Sequence, residues 1–370
     1  MLLTLIGISC QRGIIGTRTY IHPSVVIGNQ VGIDDEFNQT AFFDYEGGFS
    51  GVLLPMPSGK VAQNNGDSIY VSACFMDATE VCNLHYRAFI QWSERIYASM
   101  PQVARSLFPD TNVWLRQFPT EPIGGLLKEH YFQNAAFDYY PVVGVSWQQA
   151  QAYASWRTDR INEMILIKKG KIMVEEGQQG QNHFDTYNYL HGWYQTSPGR
   201  NPTVNLGTGE ERSVLLKDAI LLPNYRLPTL PELQLAAAQT KDYSKHKTLK
   251  AFRDKVAAHT KIYPKPAFYD HTQYDLPYLI VEEGTAVAPY HVGDGADEWT
   301  QQYHDTQEQY NMLGEAVDDR GYAKITYRIP MYELTVNGSI LDTIAIQKIE
   351  KQHTSTGPYR GFRCVMPNLW

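Results

Sequence analysis

The sequence predicts an α+β domain, and three observations lead there. Helical segments are few, and two of them open on a capping box. Strand-like runs are short and scattered. The stretches between them are long, polar and Gly-containing. A wound parallel sheet would alternate strands and helices, and a solenoid would repeat every roughly 20–50 residues; the chain does neither. With 370 residues, 43% of them hydrophobic and 19% charged, a sizeable core is affordable. The net charge of −7, with no basic stripe in sequence, speaks against a nucleic-acid partner.

Taken in order, the chain opens on "MLLTLIGISC", a short apolar run ending in Cys10. One reading is the apolar core of a signal peptide whose cysteine is lipidated after cleavage. No Lys or Arg precedes it, and Gly7 stands where a lipobox usually has Leu; the other reading is a short buried strand. Residues 11–65 carry the turn-rich runs "GNQVGIDDEFNQ" and "YEGGFSG" and read as a lead-in segment. The main domain is expected over 66–370. No run reaches the roughly 18 apolar residues of a membrane-spanning helix.

"YVSACFMD" has strand composition. Asn83 is a candidate N-cap for a helix with Tyr86, Phe89, Ile90 and Tyr97 at helical spacing. Val142, Val143 and Val145 read as a strand. Ser146 and Gln149 then form a capping box for a helix facing inward through Ala150, Tyr153, Ala154 and Ile161. Thr229 and Glu232 form a second box, with Pro231 in the first turn, where a missing N–H costs little. Between and beyond these lie two excursions, 168–222 and 240–290, the second loop-rich and bearing Lys and Tyr. "VGDGADEWTQQY" reads as a turn leading into a strand, and "KITYRIPMYEL" and "RGFRCVMP" close the chain as strands.

Most chemical motifs are absent. The 11 histidines form no HExxH, and His291 and His304 are too far apart in sequence to set a geometry. There is no GxSxG elbow, and "GTGEER" reads as a turn. Trp147 and Trp156 read as core anchors. The aromatic residues of the excursions, Tyr187, Tyr189, Trp193, Tyr194, Tyr263, Phe268 and Tyr269, suit either interface anchors or rings folded back on the core. Trp193, Tyr194, Tyr263 and Tyr269 are the chosen interface candidates.

Five stretches occur in a recognisable order: "FMDATEVCNLHYRAF", "YPVVGVSWQQAQAYASW", "YRLPTLPELQLAAA", "GADEWT" and "GFRCV". Together they resemble the formylglycine-generating-enzyme (sulfatase-modifying factor) family over roughly residues 70–367. The resemblance implies a variant of the C-type-lectin fold with long irregular loops. Within that family, "SWRTDRINEMILIKKGKI" and "LLKDAILLPNYRLPT" look like the GldJ-type gliding-motility lipoproteins of Bacteroidota, relatives of the GldK type. That likeness implies a lipid on Cys10 and a place on the periplasmic face of the outer membrane. It also implies partners among the envelope proteins of gliding motility and type IX secretion, including a GldK-type lipoprotein.

The same resemblance carries expectations about chemistry. The family's oxidase activity uses a cysteine pair near the C-terminus, whose soft thiolates hold Cu(I). The chain has four cysteines, Cys10, Cys74, Cys82 and Cys364, and none lies between "YRIPMYEL" and Gly361. The expectation is a non-catalytic member with no catalytic residue and no resident cofactor. The family's "GFRC" cysteine often pairs with one in the helix after "VSW", where this chain has Ala154. Cys364 is therefore expected to be an inert strand thiol; a bond to Cys74 is the alternative, and a Cys74–Cys82 link is disfavoured. In the family, the stretch matching "DGADEW" can bind calcium. Here Glu298 is the candidate ligand, Asp294 and Asp297 are further carboxylates, and Gly295 replaces an Asn. The plainer reading is a polar turn ordering a strand. Arg363 is expected to pair inside the fold. Two alternative functions are carried: an oxidoreductase with altered metal ligands, and a carbohydrate- or peptide-binding module on the same fold.

Overall fold

In the computed structural model the described residues are 52–62, 68–175, 177–180, 182–194, 197–238, 247–271, 273–274, 276–281, 297–298, 300–301 and 356–367. Among these residues four strands come first: β1 Leu53–Met56, β2 Gly59–Ala62, β3 Ser68–Val71 and β4 Cys74–Asp77. Eight helices are described after them: α1 Asn83–Ile96, α2 Pro101–Ser106, α3 Val113–Gln117, α4 Pro122–His130, α5 Trp147–Lys168, α6 Thr186–Leu190, α7 Leu230–Ala237 and α8 Lys247–Ile262. Later in the chain the described residues hold three short strands: β5 Asp297–Glu298, β6 Arg360–Gly361 and β7 Val365–Pro367. The mixture is α+β.

The central sheet runs β1-β4-β7, antiparallel throughout, with β4 in the middle. All four β4 residues are buried. A short strand covered on both faces needs a continuous apolar run rather than alternation, which is what "CFM" supplies. Phe75 faces the main core, with Tyr86 and Phe89 of α1, Tyr153 and Trp156 of α5, and Phe362 and Cys364. Cys74 and Met76 face the other way, onto Met56, Val365 and Ala236 of α7. The hairpin β2–β3 stands beside α7. Because β1 pairs with β4, the sheet begins by Leu53, inside the stretch 11–65 expected to be a lead-in.

Local signals hold in part. Ser146 accepts from the Gln149 N–H at 3.2 Å, and the Gln149 side chain accepts from the Ser146 N–H at 2.7 Å. Thr229 and Glu232 make the same reciprocal pair at α7. At α1 the cap falls one residue early. Cys82 is the extended N-cap residue, and Asn83 turns inward to donate to the carbonyls of Tyr131 at 3.1 Å and Phe137 at 2.9 Å. The run Val142–Val145 is buried but forms no ladder: the isolated bridge beside it is Pro141 with Cys82, and Gly144 takes φ +77. A proline without an N–H and a left-handed glycine interrupt strand pairing.

The largest departure is in 240–290. Its centre is α8, a 16-residue helix whose Leu249, Phe252 and Val256 pack on Tyr139, Val52 and Leu54. Leu249, Phe252, Val256 and His259 recur every three or four residues, so the segment carries one inward face. The excursion 168–222 has little regular structure, but Ile172, Phe184, Tyr189, Val214 and Ile220 all enter the main core. "KITYRIPMYEL" lies outside the described residues.

Candidate functional site

Two buried arginines organise the centre of the domain. Arg157 of α5 donates to both oxygens of Asp77 at the end of β4, at 2.8 and 3.0 Å, with neither side chain more than 1% exposed. Asp77 also accepts from the Cys364 N–H at 2.9 Å, and its own N–H reaches the Cys364 carbonyl at 3.0 Å. Arg363 donates from Nε to the two Glu298 oxygens at 2.8 and 2.7 Å, and from Nη2 to one of them at 2.6 Å. Its Nη1 reaches the Asp77 carbonyl at 3.1 Å. Burial alone would lower the Arg363 pKa; the charge and hydrogen bonds of Glu298 more than offset that, so it is raised. β5 and β6 pair in parallel, Glu298 beside Gly361, which sets Glu298 against Arg363. The result is a bidentate frame tying β4, α5, β5 and the last segment together.

This frame is where the calcium candidate sits. Glu298 has both carboxylate oxygens on the Arg363 guanidinium, and a cation beside it lowers the local negative charge a Ca²⁺ site needs. Among the described residues no three His, Cys, Asp or Glu side chains gather as a metal centre. Asp294, Gly295, His291 and His304 lie outside them.

The three cysteines within the described residues are buried thiols, not halves of disulfides. Cys74 pairs with Pro367 and faces α7; Cys364 adjoins Asp77 and faces the main core. They occupy opposite faces of the sheet, so the alternative Cys74–Cys364 bond has no geometry to form. Burial, reinforced by the Glu232 carboxylate and opposed by Arg226, pushes the Cys74 thiol up to about 12. Burial also pushes Cys82 up to about 12. Neither supplies thiolate at neutral pH. Cys10 lies outside the described residues.

The excursion is fastened to α5 by buried polar groups that helical periodicity does not anticipate. Arg160 pairs with Glu163 at 2.6 Å, both about 1% exposed, and donates to the Phe184 carbonyl. Gln178 donates to Glu163 and accepts from the Phe184 N–H at 2.9 Å. Asn162 donates to Thr186 Oγ1 at 3.0 Å and the Pro223 carbonyl at 3.1 Å. Thr158 Oγ1 accepts from the Tyr225 N–H at 2.9 Å. The two stretches singled out above, "SWRTDRINEMILIKKGKI" and "LLKDAILLPNYRLPT", are thus partners in one structural unit.

The four interface candidates do not form one surface. Trp193 is 63% exposed and rests on His191, with ring centroids 5.0 Å apart, and on Tyr187 at 5.7 Å. Its N–H donates to the Asn188 carbonyl at 2.8 Å, so the exposed ring stands on a fixed turn. Tyr194, the next residue, is half-buried against Phe184. Tyr263 is 40% exposed at the end of α8. Tyr269 is corrected outright. It is 1% exposed, packed on Phe137 and Tyr140, with its hydroxyl donating to the Pro277 carbonyl at 2.8 Å; an aromatic run rich in buried neighbours hid a core position. Trp156 is buried, and Trp147 is half-buried with its indole N–H on the Thr300 carbonyl at 2.9 Å.

A family model described as "Sulfatase-modifying factor enzyme 1-like domain" matches residues 52–367. No curated protein and no solved structure matches the chain.

Proposed function

The chain belongs to the sulfatase-modifying factor enzyme 1-like family, and from this premise we propose that it is a non-catalytic, lipid-anchored scaffold of the cell envelope. In this reading it keeps the family's lectin-type fold as a binding platform within the gliding-motility and type IX secretion machinery. It is held by a lipid on Cys10 to the periplasmic face of the outer membrane.

One observation carries the non-catalytic part. The whole chain has four cysteines, and Cys74, Cys82 and Cys364 are all buried, on separate faces or elements. A copper-thiolate oxidase needs two thiolates side by side and open to a substrate thiol. The polar frame of Arg157, Asp77, Arg363 and Glu298 meanwhile pairs both buried arginines with carboxylates, which supports a role for the fold as rigid support. Glu298 is proposed as a structural partner of Arg363 rather than as a calcium ligand. Calcium titration should leave the melting temperature unchanged; a rise that Glu298→Gln abolishes would reverse that assignment.

The envelope placement is supported by the likeness of α5 and the 215–229 segment to motility lipoproteins, two stretches that fasten one excursion. The exposed Trp193 offers that partner surface a fixed aromatic anchor. The deciding experiment is labelling of cells with a palmitate analogue, comparing the wild-type chain with Cys10→Ala. Label lost only in the variant supports the anchor; no label in the wild type refutes it.

A further inference from the structure

The outer face of α8 has a composition that the chain-wide charge conceals. The helix carries Lys247, Lys250, Arg253, Lys255 and Lys261 against one acid, Asp254, in a protein of net charge −7. Leu249, Phe252 and Val256 turn inward, and His259 Nε2 meets Asp138 at 2.9 Å, so the helix is seated firmly along its other side. Lys247, Lys250 and Lys261 therefore point outward, and all three are exposed; Asp254, also exposed and four residues after Lys250, shares the face and leaves it net positive. At the C-terminal end the five residues "KIYPK", Lys261 to Lys265, are all exposed. Ile262 is 69% exposed and Tyr263 40%. A large aliphatic side chain thus stands in water at the tip of a cationic helix, next to a partly exposed tyrosine whose ring rests on His259 at 4.9 Å between centroids.

We propose that this face docks on an anionic phospholipid surface. The charge pattern calls for a negative partner, and the apolar tip selects its kind. Phosphate headgroups meet the lysines, whose stems lie along the interface. The acyl boundary beneath takes Ile262, and Tyr263 sits at headgroup level with its ring inward and hydroxyl outward. An acidic protein surface or a nucleic acid would satisfy the lysines alone. The contact does not depend on a lipid at Cys10 and would add to the attachment such a lipid gives.

The test is co-sedimentation of the full chain with phosphatidylcholine vesicles, with and without added phosphatidylglycerol. Binding is expected only with the anionic lipid, and is expected to fall at high salt. Each lysine near the surface is worth about fivefold in affinity, so the double variant K250Q/K261Q should bind about 25-fold more weakly. I262S should also weaken binding while leaving thermal melting unchanged, since Ile262 is 69% exposed. Equal binding to neutral vesicles, or an unchanged affinity of K250Q/K261Q, would overturn the proposal. Absence of binding to either vesicle, together with retention of polyglutamate or duplex DNA that K250Q/K261Q loses, would assign the face to an acidic protein or to nucleic acid instead.

Discussion

Removing the Asp77 carboxylate would leave Arg157 charged in a site without solvent, and would also orphan the Cys364 N–H. Breaking a buried pair by deleting one partner costs about 3–5 kcal/mol, so Asp77→Ala should lower stability by that order in urea unfolding. The same scale separates the aromatic candidates. Trp193→Ala should weaken partner capture while shifting stability by no more than about 0.5 kcal/mol. Tyr269→Ala should cost about 3–5 kcal/mol, as for a large buried ring. Burial, then the Arg160 charge, lowers the His183 pKa; burial, then Lys255, Arg157 and Arg87, lowers that of His85. The unfolded chain therefore binds protons at these sites first, and stability should fall as pH drops below about 6.5. Burial alone would raise the Glu232 pKa, but Arg226 and Thr229 hold it below its ordinary value. Its contribution is present above the ordinary glutamate range and is lost as pH falls through the lowered folded value. A melting-temperature profile against pH should thus decline in two stages, and His183→Phe should flatten the upper one.

Helix α4 gives a contrast between neighbours. A Cβ on Gly124 would lie 2.6 Å from the Phe118 carbonyl oxygen, whereas one on Gly125 would meet nothing within 4 Å. Gly125→Ala should stabilise by about 0.5–1 kcal/mol, the usual helix gain. Gly124→Ala should destabilise by about 1–3 kcal/mol, because backbone must move. Melting of the two variants side by side decides it. At this scale the sequence was readable wherever a signal is local. Both capping boxes and the inward face of α5 follow from residues three or four apart. The stretch Val142–Val145 misled because its composition is strand-like while Pro141 and Gly144 deny it a ladder. α8 went unread because its inward stripe has few apolar members among many lysines. Nothing local in the sequence marks Arg160, Asn162 and Glu163 as buried. Their partners, Phe184, Gln178, Thr186 and Pro223, lie 15 to 61 residues away, and pairing at that range leaves no periodicity to read.

For the whole molecule, the order of motifs carried more than any single motif. It placed the family that the match over 52–367 shows, and it placed Arg363 inside the fold, where it meets Glu298. The start of the domain was less legible, because β1 owes its place to pairing with β4 and has no sequence marker of its own. The proposed role joins a fold kept intact to chemistry set aside, with the protein proposed to hold other proteins at the envelope. Capture of the C-terminally tagged full chain from detergent-solubilised envelopes, with mass spectrometry of its companions and of its Cys10 peptide, tests that claim most directly. The account predicts a lipid-modified Cys10 peptide and recovery of gliding or type IX secretion components. Recovery from the soluble fraction with an unmodified Cys10 peptide and none of those companions would contradict it.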